Sequence, residues 1–210
     1  DPACRRMMGL SLRNVRLTLL RDGKPLFTEQ GEALFTHFGL SGPLVLSAST
    51  YIDDLAGHEW VCEFDLKPAL DEKTLYDRLT RDFAALGGHS AQGALEKLLP
   101  HSMRPVAVEK WGVDPATRAA QITREQKQAL VRLCKHWPVP VSALGDREHA
   151  VITAGGVDVR EVDPRTMESK LCPGLYFAGE VLDVDARTGG YNLQIAWSTA
   201  QAAARAAAGM

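Results

Sequence analysis

Paired glycines at 189 and 190, an acidic residue six positions before them and an asparagine two positions after them form the most chemically suggestive spacing in this chain. A Gly-Gly pair lets backbone approach a flat ligand with no Cβ in the way. The stretch that follows, from about Tyr191 to Ala208, is rich in alanine, the strongest helix former. The first N–H groups of such a helix lack partners within it and carry partial positive charge. Upstream, Leu175-Tyr176-Phe177-Ala178 is a short apolar run ending at Gly179-Glu180. That is the pattern of a buried strand delivering residues to the carboxyl edge of a sheet, where open α/β sheets bind ligands. Asp183 is then placed to accept hydrogen bonds from a polyhydroxyl group such as a ribityl chain. Donors at the helix start, aimed at the pyrimidine edge of a flavin, would stabilise negative charge developing there on reduction. Each feature alone has a plainer reading: the glycines as a tight turn, Asp183 as a cap, or the helix start as a phosphate site. No Lys follows in the G-K-[ST] arrangement of a phosphate loop.

The elements around this segment fall into three stretches. Residues 1–68 read as β-rich: Val15, Leu17 and Leu19 alternate with Arg16 and Thr18, and Asp22-Gly23 supplies a turn before Pro25-Leu26-Phe27. A second strand is expected over Ala33–Thr36. Gly39–Pro43 interrupts it before the apolar run Leu44-Val45-Leu46, and Trp60–Leu66 alternates again. Short strands with Gly-rich turns suggest a small barrel or sandwich. Residues 69–147 read as helical. Leu75, Leu79, Phe83 and Leu86 share one face behind a possible Asp71 cap, and Thr123-x-x-Gln126 is a capping box. That box opens a helix whose apolar face is Leu130, Leu133, Cys134 and Trp137, closed by Pro138 and Pro140. Residues 148–210 change character: Ala150–Thr153 and Leu175–Ala178 resemble buried parallel strands ending at glycine, followed by the Ala-rich helix. Its expected packing face is Leu193, Ala196, Trp197, Ala200 and Ala204.

Composition narrows the function classes. The chain has 210 residues, 45% of them apolar, and a net charge of −2, which gives no overall bias toward nucleic acid or anionic membrane. No apolar run reaches the roughly 18 residues of a membrane span, and no signal peptide opens the chain. Four dispersed cysteines without C-x-x-C spacing argue against a metal site and for a reduced, cytoplasmic setting. Locally the balance differs. From Glu96 to His136 eight Lys/Arg face four acidic residues, with Trp111 and Trp137 among them. Such a surface is either an ordinary solvated helical face or a contact for structured RNA.

The segment Gly179-Glu180-Val181-Leu182-Asp183, followed by Gly189-Gly190-Tyr191-Asn192-Leu193-Gln194, resembles the carboxy-terminal flavin motif of the BaiN/RdsA-type NAD(P)/FAD-dependent oxidoreductases. Phe35–Pro43, Asp65–Leu70 and Ile152–Val157 also match that family's pattern, so the resemblance runs from about Gly9 to Ala208. It implies an α+β and α/β mixture: a β-barrel-like insert domain with a helical subdomain, then the last strands and helix of a Rossmann-like FAD-binding domain. It implies FAD as cofactor, NAD(P)H as hydride source and an unsaturated or carbonyl acceptor. Asp183 would contact the ribityl chain, the backbone of Gly189, Gly190, Tyr191 and Asn192 would lie beside the isoalloxazine, and Gly155, Gly156, Gly179 and Glu180 would line the site. Some members of the family act on a uridine of ribosomal RNA and others on steroid-like substrates, which keeps an RNA partner open. His37 and Tyr191 are the candidate general acids.

One departure stands out. The family's G-x-G-x-x-G loop for the FAD pyrophosphate has no counterpart in this sequence. The expectation is therefore a fragment of a longer flavoprotein that holds FAD weakly or not at all by itself.

Overall fold

The computed structural model describes residues 2–146, 148 and 150–209. The chain divides into two compact units, Asp1–Leu144 and Gly145–Met210.

The first unit is built on a five-stranded antiparallel sheet curled into a half-barrel, in the spatial order β3 (Leu40–Ser41), β2 (Lys24–Phe35), β1 (Ser11–Arg21), β4 (Trp60–Asp65) and β5 (Trp137–Val141). Strands β1 (Ser11–Arg21) and β2 (Lys24–Phe35) form a long hairpin closed at Asp22-Gly23. Both turn residues have positive φ, 50° and 74°, the conformation a two-residue hairpin turn demands. β1 alternates as expected, with Val15, Leu17 and Leu19 buried. Its register slips by one residue between Leu12 and Val15, so Arg13-Asn14 form a bulge. The short β3 (Leu40–Ser41) pairs with the end of β2, and β4 (Trp60–Asp65) pairs with β1. The apolar run Leu44-Val45-Leu46 is helical, within α2 (Pro43–Ser49), where Pro43 occupies the first turn. A short α1 (Pro2–Arg6) precedes the sheet and buries Cys4.

Helices cover this sheet. In α3 (Glu72–Ala85), Leu75, Leu79 and Phe83 are buried, and the Asp71 side chain accepts from the Thr74 N–H at 2.7 Å. After the short α4 (Ala91–Ala94) comes α5 (Arg104–Trp111), ended by Gly112 in the left-handed conformation. α6 (Arg124–Lys135) opens on the Thr123–Gln126 capping box in both directions. The Trp111 indole N–H donates to the Gln126 carbonyl at 2.7 Å, tying α5 to α6.

Trp137 departs from expectation. It begins β5 (Trp137–Val141) and does not continue the face of α6. A residue before proline is pushed out of the helical region, and Pro138 and Pro140 fit an edge strand, where a missing N–H costs no ladder bond.

The second unit corrects two further expectations. Ala150–Thr153 and Leu175–Ala178 are not strands of a parallel sheet. Among the described residues this unit has only isolated bridges, Val157 with Leu182, Val162 with Ser169, and Glu168 with Tyr176. An extended apolar segment becomes a strand only where a neighbour supplies a ladder, and here none does. The expected helix is present as α7 (Tyr191–Ala207), but the predicted face is wrong. Trp197 is 76% exposed and Leu193 69%. Ala202 and Ala203 pack instead, against a small core of Val162, Met167 and Leu182.

The cysteines make a direct prediction. Burial pushes the thiols of Cys62 and Cys134 up to about 12 and raises that of Cys4, whereas Cys172 is exposed. Titration of the folded chain with a thiol-specific disulfide reagent at pH 8 is expected to label Cys172 within minutes and the other three only on unfolding. Rapid labelling of two or more thiols in the folded protein would contradict the buried core.

Candidate functional site

The candidate residues of the second unit are assembled by backbone pairing. The Val157 N–H donates to the Val181 carbonyl at 2.8 Å, and the Asp183 N–H donates to the Val157 carbonyl at 2.9 Å. Leu182, between them, is buried. Gly156 sits at φ 150°, and a Cβ there would fall 2.5 Å from the Val181 carbonyl oxygen. Glycine is therefore required by the neighbouring backbone. Gly155, at φ 90°, faces open space.

Gly179 joins this pair to the terminal helix. Its N–H donates to the Thr199 hydroxyl at 3.0 Å, and that hydroxyl donates onward to the Ile195 carbonyl at 2.7 Å. Gly179–Val181 form one turn of 3₁₀ helix, from which Glu180 points to solvent. Asp183 is also exposed, and neither carboxylate has a hydrogen-bond or ionic partner among the described residues.

Gly189 and Gly190 have φ of 124° and 89°, and Gly190 is the N-cap of α7 without any side-chain cap. The 17-residue helix thus starts behind a residue with no Cβ, at which an added Cβ would meet nothing within 4 Å. The Asn192 side chain fastens the polar loop. Its Oδ1 accepts from the Ala186 N–H at 2.8 Å and its Nδ2 donates to the Ala186 carbonyl at 2.9 Å, pinning the polar loop onto the helix. Tyr191 is 62% exposed.

His37 belongs to the first unit. It lies exposed in the turn between β2 and β3, its ring edge-on to Phe38 at 5.0 Å and its carbonyl accepting from Arg5 Nε at 3.1 Å. Two positioning residues escaped the sequence reading, Thr199 and the Asn192 side chain. Only a helical wheel that placed Thr199 on the packed face would have flagged the former.

Residues 1–152 match the family model described as the HI0933-like protein barrel and H2TH domain. The chain belongs to this HI0933-like family. The half-barrel and helices of the first unit are the region matched. Among relatives, a ribosomal RNA dihydrouridine synthase of Escherichia coli (strain K12) is 38% identical over 172 residues, 82% of this chain and 41% of that protein. A ribosomal RNA dihydrouridine synthase of Haemophilus influenzae is 34% identical over 198 residues, 94% of this chain and 46% of that protein. A 3-dehydro-bile acid delta(4,6)-reductase of Clostridium scindens is 30% identical over 197 residues, 93% of this chain and 48% of that protein. The HI0933-like chain therefore spans less than half the length of each of these relatives. Reductase-type enzymes are the common ground of these names. No helix among its described residues is long and apolar enough to cross a membrane.

Proposed function

We propose that this chain is the flavin-facing part of an FAD-dependent reductase that takes hydride from NAD(P)H and delivers it to a carbon–carbon double bond conjugated with a carbonyl. The observation that carries this reading is the uncapped start of α7 behind two positive-φ glycines, with the unpartnered Asp183 carboxylate on the same polar loop. These residues fit the ring and ribityl portion of FAD: open space at Gly155 and Gly190, helix donors for the pyrimidine edge, and a carboxylate acceptor for hydroxyls. Bound FAD would supply the hydride-transfer chemistry itself. The chain's own contribution is to orient the ring through the Gly189-Gly190 backbone and to hold the ribityl hydroxyls at Asp183. Thr199 keeps Gly179 and Glu180 in place, and Asn192 keeps the loop in place. Tyr191, an exposed residue, and His37 are the candidates to deliver the proton that accompanies hydride.

Both substrate classes named among the relatives share one reaction. Making dihydrouridine saturates the C5=C6 bond conjugated to the uracil carbonyl, and a delta(4,6)-reductase saturates bonds conjugated to a 3-oxo group. Uridine in ribosomal RNA is the preferred acceptor here, because the 38% and 34% identical relatives both carry that name while the bile-acid relative stands at 30%.

The test uses flavin absorbance. In a chain that also carries a pyrophosphate-binding loop, Gly190→Val is expected to cut FAD retention at least about fivefold, since a β-branched residue at positive φ costs on the order of 1–3 kcal/mol. The 210-residue chain alone is expected to hold FAD weakly or not at all. Full flavin retention in Gly190→Val, together with unchanged NAD(P)H oxidation, would remove the site from this helix start.

A further inference from the structure

The motif Asp65-Leu66-Lys67-Pro68-Ala69-Leu70 is unused by the flavin reading, and it belongs to the first unit. Its backbone is fixed from one side. Lys135 pairs with Asp65 at 2.6 Å and donates to the carbonyls of Lys67 and Leu70 at 3.2 and 2.7 Å, while the Lys67 N–H donates to Asp65 Oδ1 at 2.9 Å. The Asp65–Lys135 charges therefore cancel locally. Lys67 itself is left over. Its ammonium has no hydrogen-bond or ionic partner among the described residues, and it is half-buried.

Lys67 lines a cleft of about 310 Å³ together with the bulged residues Arg13 and Asn14, Ser11, and apolar residues that include Leu99 and Met103. No carboxylate lines it. The Glu32 carboxylate that accepts from Ser11 is outside the lining, and Asn14 Oδ1 accepts from Gln30 Nε2 at 2.7 Å, which leaves the Asn14 amide N–H₂ available. Arg13 likewise has no ionic partner among the described residues. Burial, and then the positive Arg78 nearby, lower the pKa of Lys67. Two cations without ionic partners line this cleft, and the carboxylate at its margin, Glu32, is engaged by Ser11; a bound anion would stabilise such an arrangement. A tetrahedral oxyanion can accept from a guanidinium fork, an ammonium and an amide together.

We propose that this cleft, where the β1 bulge meets Lys67, binds a phosphate group, carried either by a polynucleotide backbone or by a small phosphorylated molecule. The cleft shares no residue with the flavin-facing set, so the proposal does not rest on FAD.

Limiting acetylation of the 210-residue chain, read by peptide mass spectrometry, tests it. Inorganic phosphate and a single-stranded oligouridine are the two probes, and exposed Lys24 is the internal control. Lys67 is expected to be protected at least about threefold while Lys24 is not. Protection by phosphate as strong as that by the oligonucleotide assigns the site to a small phosphorylated molecule, and protection by the oligonucleotide alone assigns it to a backbone phosphate. In the second case Lys67→Met and Arg13→Gln should each weaken oligonucleotide binding about tenfold and lower its salt slope by about one, with an unchanged thermal midpoint. No protection by either probe overturns the proposal. So does oligonucleotide binding with the same affinity and salt slope in both variants.

Discussion

Gly156→Ala is expected to open the candidate site from within the second unit. The new Cβ would lie 2.5 Å from the Val181 carbonyl oxygen and 2.9 Å from the Asp183 nitrogen, both backbone atoms that cannot swing aside. The φ of 150° at this position adds backbone strain. Strain of about 1–3 kcal/mol and overpacking of about 1–3 kcal/mol together give a cost of about 3 kcal/mol. The contact broken is the one that holds Val157 against Val181 and Asp183. Amide exchange at Val157 and Asp183 should therefore accelerate about a hundredfold. Gly155→Ala is the matching control: φ is 90° but nothing lies within 4 Å, so only the backbone strain applies and exchange at those two amides should change several-fold less than in Gly156→Ala. Equal effects of the two substitutions would mean that steric contact at Gly156 is not what closes the pair.

That contrast also marks how far the sequence could be read. The Asp22-Gly23 hairpin, the Thr123–Gln126 box and the Asp71 cap were legible because each depends on residues within a few positions of one another. Candidate residues around Gly155–Gly156 and Gly179–Asp183 were legible as types, and the structure brings these two segments side by side through Val157 and Leu182. The reason for Gly156 was not legible, because the atom it must avoid is 25 positions away in the chain. α7 misled for a related reason. Alanine surrounds that helix, so a 3.6-residue stripe can be drawn on more than one face, and Leu193 and Trp197 drew it to the exposed one. Apolar runs at 150–153 and 175–178 carried strand composition, but pairing needs a neighbour, and composition does not report one. Trp137 was the converse case: the information was present in Pro138, and proline's restriction on the residue before it outranks a helical period.

The second large effect is expected at Lys135. Its side chain and that of Asp65 are only 14% and 11% exposed, so the pair is largely removed from water. Lys135→Met keeps most of the aliphatic volume but leaves the Asp65 carboxylate without its counter-ion and the carbonyls of Lys67 and Leu70 without their donor. Removing one partner of a buried pair typically costs about 3–5 kcal/mol, because the remaining charge must be desolvated alone. For a cooperative unit this appears as a lower urea midpoint for the first unit at an unchanged slope. Asp65→Asn combined with Lys135→Met removes both charges, and the double variant should recover at least about 1 kcal/mol relative to Lys135→Met alone. The side-chain amide that replaces the Asp65 carboxylate can still accept from the Lys67 N–H through its carbonyl oxygen, so the turn that carries Lys67 is retained in the double variant. If Lys135→Met and the double variant unfold at the same urea concentration, the desolvated Asp65 charge is not the source of the loss. The hydrogen bonds that Lys135 donates to the Lys67 and Leu70 carbonyls, and not its charge, would then be what holds the Asp65–Leu70 turn against the end of α6.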